Sequence, residues 1–411
     1  MDGTLPENLR SDETVIRVVG VGGGGGNAVN RMIESGAMQG VEFIAVNTDA
    51  KDLLRSEANI KISLSDETSR GLGAGADPER GSKAAQDHQD EIEQALKGSD
   101  MVFVTCGEGG GTGTGASPVV AHIARELGAL TVAVVTRPFS FEGPRRAESA
   151  DSGIEKLRKE VDAIIIIPND RLLSMSDSNV TLIDAFKTAD SALNDGVGGI
   201  TFLVNSNSYI DADFNDIKAI LKDSGTALFG VGQARGDDRA VKAAELAISS
   251  PLLEESIEGA HGVLINIASS MDVQLSEVSA INNLIFKASS PEAQIIWGQT
   301  FDDALGDELK VTVIAAGFDE KKDSSDELKE QSLPFNQDIT DAPVISKPAM
   351  MPHDVPTLNA VHLNQHAESA QPVSSSSATT SSPSTVSHLR YEENQDEEDA
   401  TGDIDIPPFL R

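Results

Sequence analysis

The chain has 411 residues, 39% of them hydrophobic, and a formal net charge of -34. That length allows two folded domains and something extra, and a charge of that sign leaves no basic surplus to displace counterions from a nucleic-acid backbone. The single cysteine, Cys106, excludes an internal disulfide, and with few histidines and no C-x-x-C pair there is no soft-metal framework.

No apolar run approaches the roughly 20 residues of a membrane span. The opening MDGTLPENLRSDE is polar and acidic, unlike a secretory leader, so the cytosol is the expected location. VIRVVGVG (15–22) reads as a strand ending in glycine, NAVNRMIESG as a helix stopped by Gly36, and VEFIAVNTD (41–49) as the next strand. A charged amphipathic helix is predicted over about 80–97. The strand DMVFVTC (100–106), a helix, the strand LTVAVVT (130–136), a helix over 146–161 and the strand AIIIIPND (163–170) follow. Continuous Val/Ile runs alternating with helices predict a parallel sheet covered on both faces.

A long helix is predicted from about Thr181 to Val204, with Leu182, Ile183, Phe186 and Leu193 at helical spacing. TALFGVGQARG, GVLINIASS, AQIIWGQ and LKVTVIAAGF then read as the strands of a second, smaller α/β domain. From Asp319 the composition turns to Ser, Thr, Pro, Gln and Asn. This segment carries 18 acidic residues against 6 basic, a net of -12 that leaves -22 on the rest. It holds too little apolar surface to offset its ordering entropy and is expected to be disordered. DIDIPPFLR (403–411) ends it with a small apolar cluster, Ile404, Ile406, Phe409 and Leu410, which suits a short motif docking in a partner's groove.

Two glycine clusters point to a ligand. Residues 107–115, GEGGGTGTG, join a strand directly to a helix. Bare amides and the positive end of a helix dipole there suit a phosphate chain. The loop lacks the lysine of a Walker motif and offers the Thr112 and Thr114 hydroxyls instead. The earlier cluster GVGGGGGN (20–27) satisfies G-x-G-x-x-G with Gly20, Gly22 and Gly25, and Asp49 closes the second strand where a ribose-binding acid would sit. Alone, that pattern is compatible with a dinucleotide-dependent oxidoreductase. Two glycine loops at one sheet edge would wrap a single phosphate chain from two sides, which suits a di- or triphosphate.

GGGTGTG (109–115) is the signature of the tubulin-like GTPases. GVGGGGGNAVNRM (20–32), FIAVNTDA (43–50), GLGAGADPE (71–79), RPFSFEG (137–143), IPNDRLL (167–173), DAFKTAD (184–190), SPLLE (250–254) and DDALGDELKVTVIAAGFD (302–319) are similar to the bacterial cell-division family FtsZ, nearly continuously over 12–318. The resemblance implies a disordered N-terminus (1–11), a Rossmann-like parallel-sheet GTP-binding domain (12–180), a central helix (181–207), a C-terminal α/β domain (208–318), a linker (319–402) and a partner-binding peptide (403–411).

It also implies GTP or GDP as ligand, with Mg²⁺, and K⁺ as a further cation. The phosphates would lie on Gly109, Gly110, Gly111, Thr112, Gly113, Thr114 and Gly115, with amides from Gly23, Gly24 and Gly73, and with Ala74 approaching the γ-phosphate. Glu142 and Arg146 fit ribose and phosphate contacts, and Asn169 of IPNDRLL belongs to the same nucleotide site. Asp190 can accept both the N1–H and the N2–H of guanine and Asn27 can reach the purine edge, which predicts GTP over ATP. Phe186 could stack on the base or pack in the core.

The hydrolytic residues are expected in trans. SYIDADFNDIK (208–218) aligns with the family's synergy loop, whose acids complete the next subunit's site. Asp213 and Asp216 match the two family acids, while Asp211 stands where the family usually has asparagine. Read locally, Asp213 is also a helix N-cap with Asp216 at the third position. The family pattern implies head-to-tail filaments, assembly-dependent GTP hydrolysis, a place in the bacterial division ring at mid-cell in the cytoplasm, and membrane-tethering adaptors on 403–411. A filament-forming GTP binder with weak hydrolysis and a dinucleotide oxidoreductase are the other classes.

Overall fold

The computed structural model describes residues 14–36, 38–65, 71–175, 180–205, 212–253 and 256–318. Asp211, the N-terminal segment 1–11, the linker and the terminal peptide lie outside them. The described residues fall within one compact unit. Its elements run β1 (Ile16–Val21), α1 (Gly22–Ser35), β2 (Val41–Asn47), α2 (Ala50–Arg55), β3 (Ile60–Ser63), α3 (Pro78–Asp87), α4 (Gln89–Leu96), β4 (Met101–Gly107), α5 (Thr112–Glu126) and β5 (Leu130–Arg137). They continue α6 (Pro144–Arg158), β6 (Ala163–Pro168), α7 (Asn169–Met175), α8 (Leu182–Asn205), α9 (Phe214–Leu221), β7 (Gly225–Arg235), α10 (Arg239–Ile248), β8 (Ala260–Ser269), α11 (Leu275–Ala288), β9 (Gln294–Phe301) and β10 (Glu308–Phe318).

The ten strands form one sheet in the order β3-β2-β1-β4-β5-β6-β7-β10-β8-β9. All pairings from β3 to β7 are parallel. β10 is antiparallel to both β7 and β8, and β9 rejoins parallel to β8. The runs VVGV, MVFVTC and IIII are fully or nearly fully buried, as strands covered on both faces must be.

Alternate residues feed different layers. Ile16 and Val18 of β1 pack with Val29 and Met32 of α1 and with Leu193, Val197 and Ile200 of α8. Val19 and Val21 face the opposite layer, with Leu96 of α4, Val120 of α5 and Ile154 of α6. A third cluster joins α10 and α11 to β8 and β10 through Ala243, Ile265, Ile281 and Val313.

The central helix α8 underlies both halves of the sheet. A Cβ on Gly196 would lie 2.8 Å from Val134 Cγ1 of β5, and one on Gly199 would lie 2.8 Å from Thr312 Cγ2 of β10. Glycine at these two positions therefore sets how closely the helix approaches the strands. Lys310 Nζ of β10 reaches Asp195 Oδ1 of α8 at 2.6 Å, a second tie.

The helix predicted over 80–97 is interrupted at His88, which leaves the helical region at φ -115°, ψ 25°. Its ring Nδ1 lies 2.8 Å from the Ala84 carbonyl, whose intrahelical partner would have been the His88 amide; that amide bonds to Ala85 O instead. Local hydrogen bonding outcompetes the helix ladder there, a competition that hydrophobic spacing does not register.

Candidate nucleotide site

β1 lies between β2 and β4, so the chain turns away in both directions from the carboxyl ends of β1 and β4 and leaves a crevice there. Two helices begin at this crevice without a side-chain cap: α1 after Val21 and α5 after Gly111. The amides of Gly22, Gly23 and Gly24, and those of Thr112, Gly113 and Thr114, consequently lack intrahelical acceptors. The Gly115 amide is already helical, donating to Gly111 O at 3.0 Å. A Cβ on Gly22 would come within 2.8 Å of Gly113 N, and one on Gly24 within 3.2 Å of Gly107 N. Only bare backbone lets the two helix starts approach this closely.

The loop between β4 and α5 is braced from within. The Gly109 amide donates to Thr114 Oγ1 at 2.8 Å, while the Gly110 and Gly111 amides have no acceptor among the described residues. Thr112 and Thr48 share a 2.6 Å hydroxyl hydrogen bond that ties α5 to the end of β2. A third wall is the turn before α3, where Ala74 is buried and a Cβ on Gly111 would lie 2.9 Å from Ala74 Cβ. The Gly73 amide donates to Thr48 O at 3.2 Å, so Gly73 shapes this wall and has no spare amide of its own.

Asp49 does not present a free acid for a ribose. Its Oδ1 caps α2, accepting from the Lys51 and Asp52 amides. The feature that favoured a dinucleotide enzyme is thus a local helix device.

Packed on α1, α8 carries two candidate base-recognising residues, Asp190 and Phe186. Asp190 Oδ2 lies 3.8 Å from Arg31 Nε, one helical turn beyond Asn27. Burial raises the Asp190 carboxyl to about 6, and Arg31 opposes that rise. Phe186 is 41% exposed and therefore not core. It meets Phe139 edge-on at 5.3 Å, and Phe139 stacks on Phe141 at 5.0 Å. Glu142 Oε2 accepts from Arg146 Nη1 at 2.5 Å and Glu142 Oε1 from the Phe139 amide at 2.9 Å, so this pair is braced across the exit of β5. Asn169 begins α7 at the end of β6, and its buried Oδ1 has no hydrogen-bond partner, leaving an acceptor for a ligand donor.

Arg31, Thr48 and Phe141 were not singled out from the sequence. Arg31 could have been, because it stands four residues after Asn27 and thus on the same helix face. Glu108, the second residue of the glycine loop, was also passed over.

Asp213 and Asp216 stand apart from this cleft. Asp213 caps α9, its Oδ1 accepting from the Asn215 amide at 2.8 Å, and the Ala212 amide donates to Leu203 O, pinning that cap beside the last turn of α8. Asp190 and Asn205 are fifteen residues apart in α8, about 22 Å along its axis. The acids therefore lie at the far end of the helix from the guanine-side residues. Among the described residues no cluster of three or more His, Cys, Asp or Glu could hold a metal ion. The open amides of Gly110 and Gly111 suit phosphate oxygens, and a Mg²⁺ would be held by those oxygens and water.

Residues 15–177 match the Tubulin/FtsZ family GTPase domain, and residues 225–319 the FtsZ family C-terminal domain. The fold resembles that of an empty FtsZ dimer from M. jannaschii at 41% identity and a TM-score of 0.73, over 76% of this chain and 90% of that one. A GTPγS-bound protofilament of CetZ2 from Haloferax volcanii shares the fold at 20% identity and a TM-score of 0.63, over 75% and 94%. The chain belongs to the FtsZ family, within the Tubulin/FtsZ group of GTPases.

Proposed function

We propose that this GTPase polymerises head to tail and that each catalytic site is completed by the next subunit. The observation that carries the reading is the separation along α8: Asn27 and Asp190 at one end, Asp213 and Asp216 at the other. GTP would lie with its phosphates on the amides of α1, α5 and the loop between β4 and α5, and its base between Asn27, Asp190 and the open face of Phe186. The acids of one chain are too far from that site to act on it and would meet the γ-phosphate of a neighbour. There they would orient a water and accept its proton as its oxygen bonds to phosphorus and the bond to the β–γ bridging oxygen breaks. Mg²⁺ on the phosphates, with K⁺ as a further cation, would offset charge that the lysine-free loop leaves to amides and dipoles.

A contact of this kind does not close, so it yields open filaments. The FtsZ dimer among the similar structures supports self-association. We further assign the filament to the division ring at mid-cell in the cytoplasm. Residues 403–411, outside the described residues, would be the peptide held by membrane-tethering adaptors. No helix among the described residues is long and apolar enough to cross a membrane.

Phosphate release and light scattering followed together against protein concentration test this. Specific activity should rise with concentration along with scattering. A flat specific activity from high dilution upward excludes a shared site, and filaments without phosphate release leave a GTP-binding polymer. Mixing Asp213→Ala with Gly113→Ala chains should restore part of the activity that neither has alone.

A further inference from the structure

Glu108 is 3% exposed, directly behind the loop that would hold the phosphates. Its Oε1 accepts from Cys106 Sγ at 3.3 Å and Ser117 Oγ at 3.4 Å, the Thr114 hydroxyl also favours the charged form, and its Oε2 has no hydrogen bond of good geometry. A Cβ on Gly153 of α6 would lie 2.5 Å from that Oε2 and would overlap the Thr114 methyl group. Thr114 therefore packs beside the acid while its hydroxyl accepts the Gly109 amide of the loop.

Among the described residues no cation is paired with Glu108; Arg146 of α6 stands by the loop, its Nη2 3.9 Å from where a Cβ on Gly110 would lie, and is paired with Glu142. Cys106 on β4 is the titratable neighbour, and α5 contributes the neutral Thr114 and Ser117. The Thr136 carbonyl of β5 accepts the Glu108 amide, and α6 presents Gly153. Lys83 and Glu79 of α3 and Lys156 of α6 line a cleft on the outer side of Thr114 and Gly153, and none of them shifts the acid. A full negative charge held by a thiol and two hydroxyls, with no cation paired to it, is costly in such a place. It would also oppose a triphosphate drawn to the loop amides and the α5 dipole.

We propose that Glu108 is a positioning residue of the phosphate loop, acting through Thr114 and the Gly109 amide, and that it must be the uncharged acid for the loop to accept a nucleoside triphosphate. This rests on the GTP-binding reading above. Burial raises the carboxyl to about 7, which places its charge change near neutral pH. Binding of GTP then takes up a proton on Glu108 when the pH lies above that value, and affinity falls as pH rises.

The test compares wild-type protein with Glu108→Gln, isosteric and uncharged, by equilibrium binding of non-hydrolysable GTP at concentrations below assembly, from pH 6 to 8.5. The terminal phosphate of the nucleotide titrates in the same range in both proteins, so the readout is the ratio of their dissociation constants, wild type over variant. The ratio should rise about tenfold across the range, a typical coupling between interacting charged sites. A constant ratio overturns the role of Glu108, whereas absence of GTP binding at every pH overturns the GTP reading instead. Should Glu108→Gln not fold, the unmodified protein still decides the matter by infrared difference spectroscopy at pH 7.5. Nucleotide should strengthen a protonated-carboxyl stretch there, and no change on binding rejects the proposal.

Discussion

Arg31 Nε on α1 stands 3.8 Å from Asp190 Oδ2 on α8, and it is the cation that counters the burial of an acid raised to about 6. In the proposed binding mode guanine offers two donors to this position, so Asp190 would have to be ionised to accept both. Affinity for guanine nucleotides should therefore fall as pH drops through about 6. In Arg31→Met the opposing charge is gone, the carboxyl titrates higher, and the fall should begin nearer neutrality. Titration of a fluorescent GDP analogue between pH 5 and 7.5 checks this; identical profiles for the two proteins would mean that Arg31 does not govern Asp190.

Glu108 makes an opposite demand on folding. Its carboxyl is raised from an ordinary 4.5 to about 7 by burial, so the folded state holds its proton more tightly than the unfolded chain does. This carboxyl's contribution to stability is therefore full below about 4.5, declines as pH rises through the interval, and is lower by about 3 kcal/mol above 7. Glu108→Gln should unfold at higher denaturant than wild type at pH 8, with the gain shrinking towards pH 4.5. Parallel denaturation curves at the two pH values would contradict this.

Glycines of the two loops divide by what a side chain would meet. A Cβ on Gly113 would lie 2.7 Å from Gly107 O, a backbone atom that cannot swing aside, whereas one on Gly26 would meet nothing within 4 Å. Gly113→Ala should lower stability by about 2 kcal/mol and abolish nucleotide binding. Gly26→Ala lies inside α1 and should raise stability by up to about 1 kcal/mol through helix propensity alone. Thermal unfolding of nucleotide-free protein gives the two signs.

Much of the fold was legible because its signals are local. Buried parallel strands write themselves as Val/Ile runs, and the glycine clusters mark the starts of α1 and α5 beside the ends of β1 and β4. The antiparallel insertion of β10 between β7 and β8 was not legible, since LKVTVIAAGF carries no mark of which strands it will join. At the site, motif residues such as Asn27, Thr112 and Asp190 stood out, but their partners did not. Arg31 matters only once α8 lies across α1, and Glu108 looks like one more polar loop residue until the turn buries it. Asp49 misled in the opposite sense, because a strand-end acid serves as well for a helix cap as for a ribose.

Asp213 carries two readings that one pair of variants separates. Its Oδ1 accepts the Asn215 amide and so caps α9, and the cap requires only a side-chain oxygen, whereas proton acceptance in trans requires a carboxylate. Asparagine caps helices about as well as aspartate, while alanine gives up about 1 kcal/mol at such a position. Asp213→Asn should therefore match wild type in thermal stability and in GTP-dependent light scattering, but its phosphate release should fall by at least about a hundredfold, the scale of losing a general base. Asp213→Ala should lose the same activity and become less stable as well. If Asp213→Asn hydrolyses GTP at the wild-type rate, Asp213 is a helix cap only, and the proposed shared site would rest on Asp216.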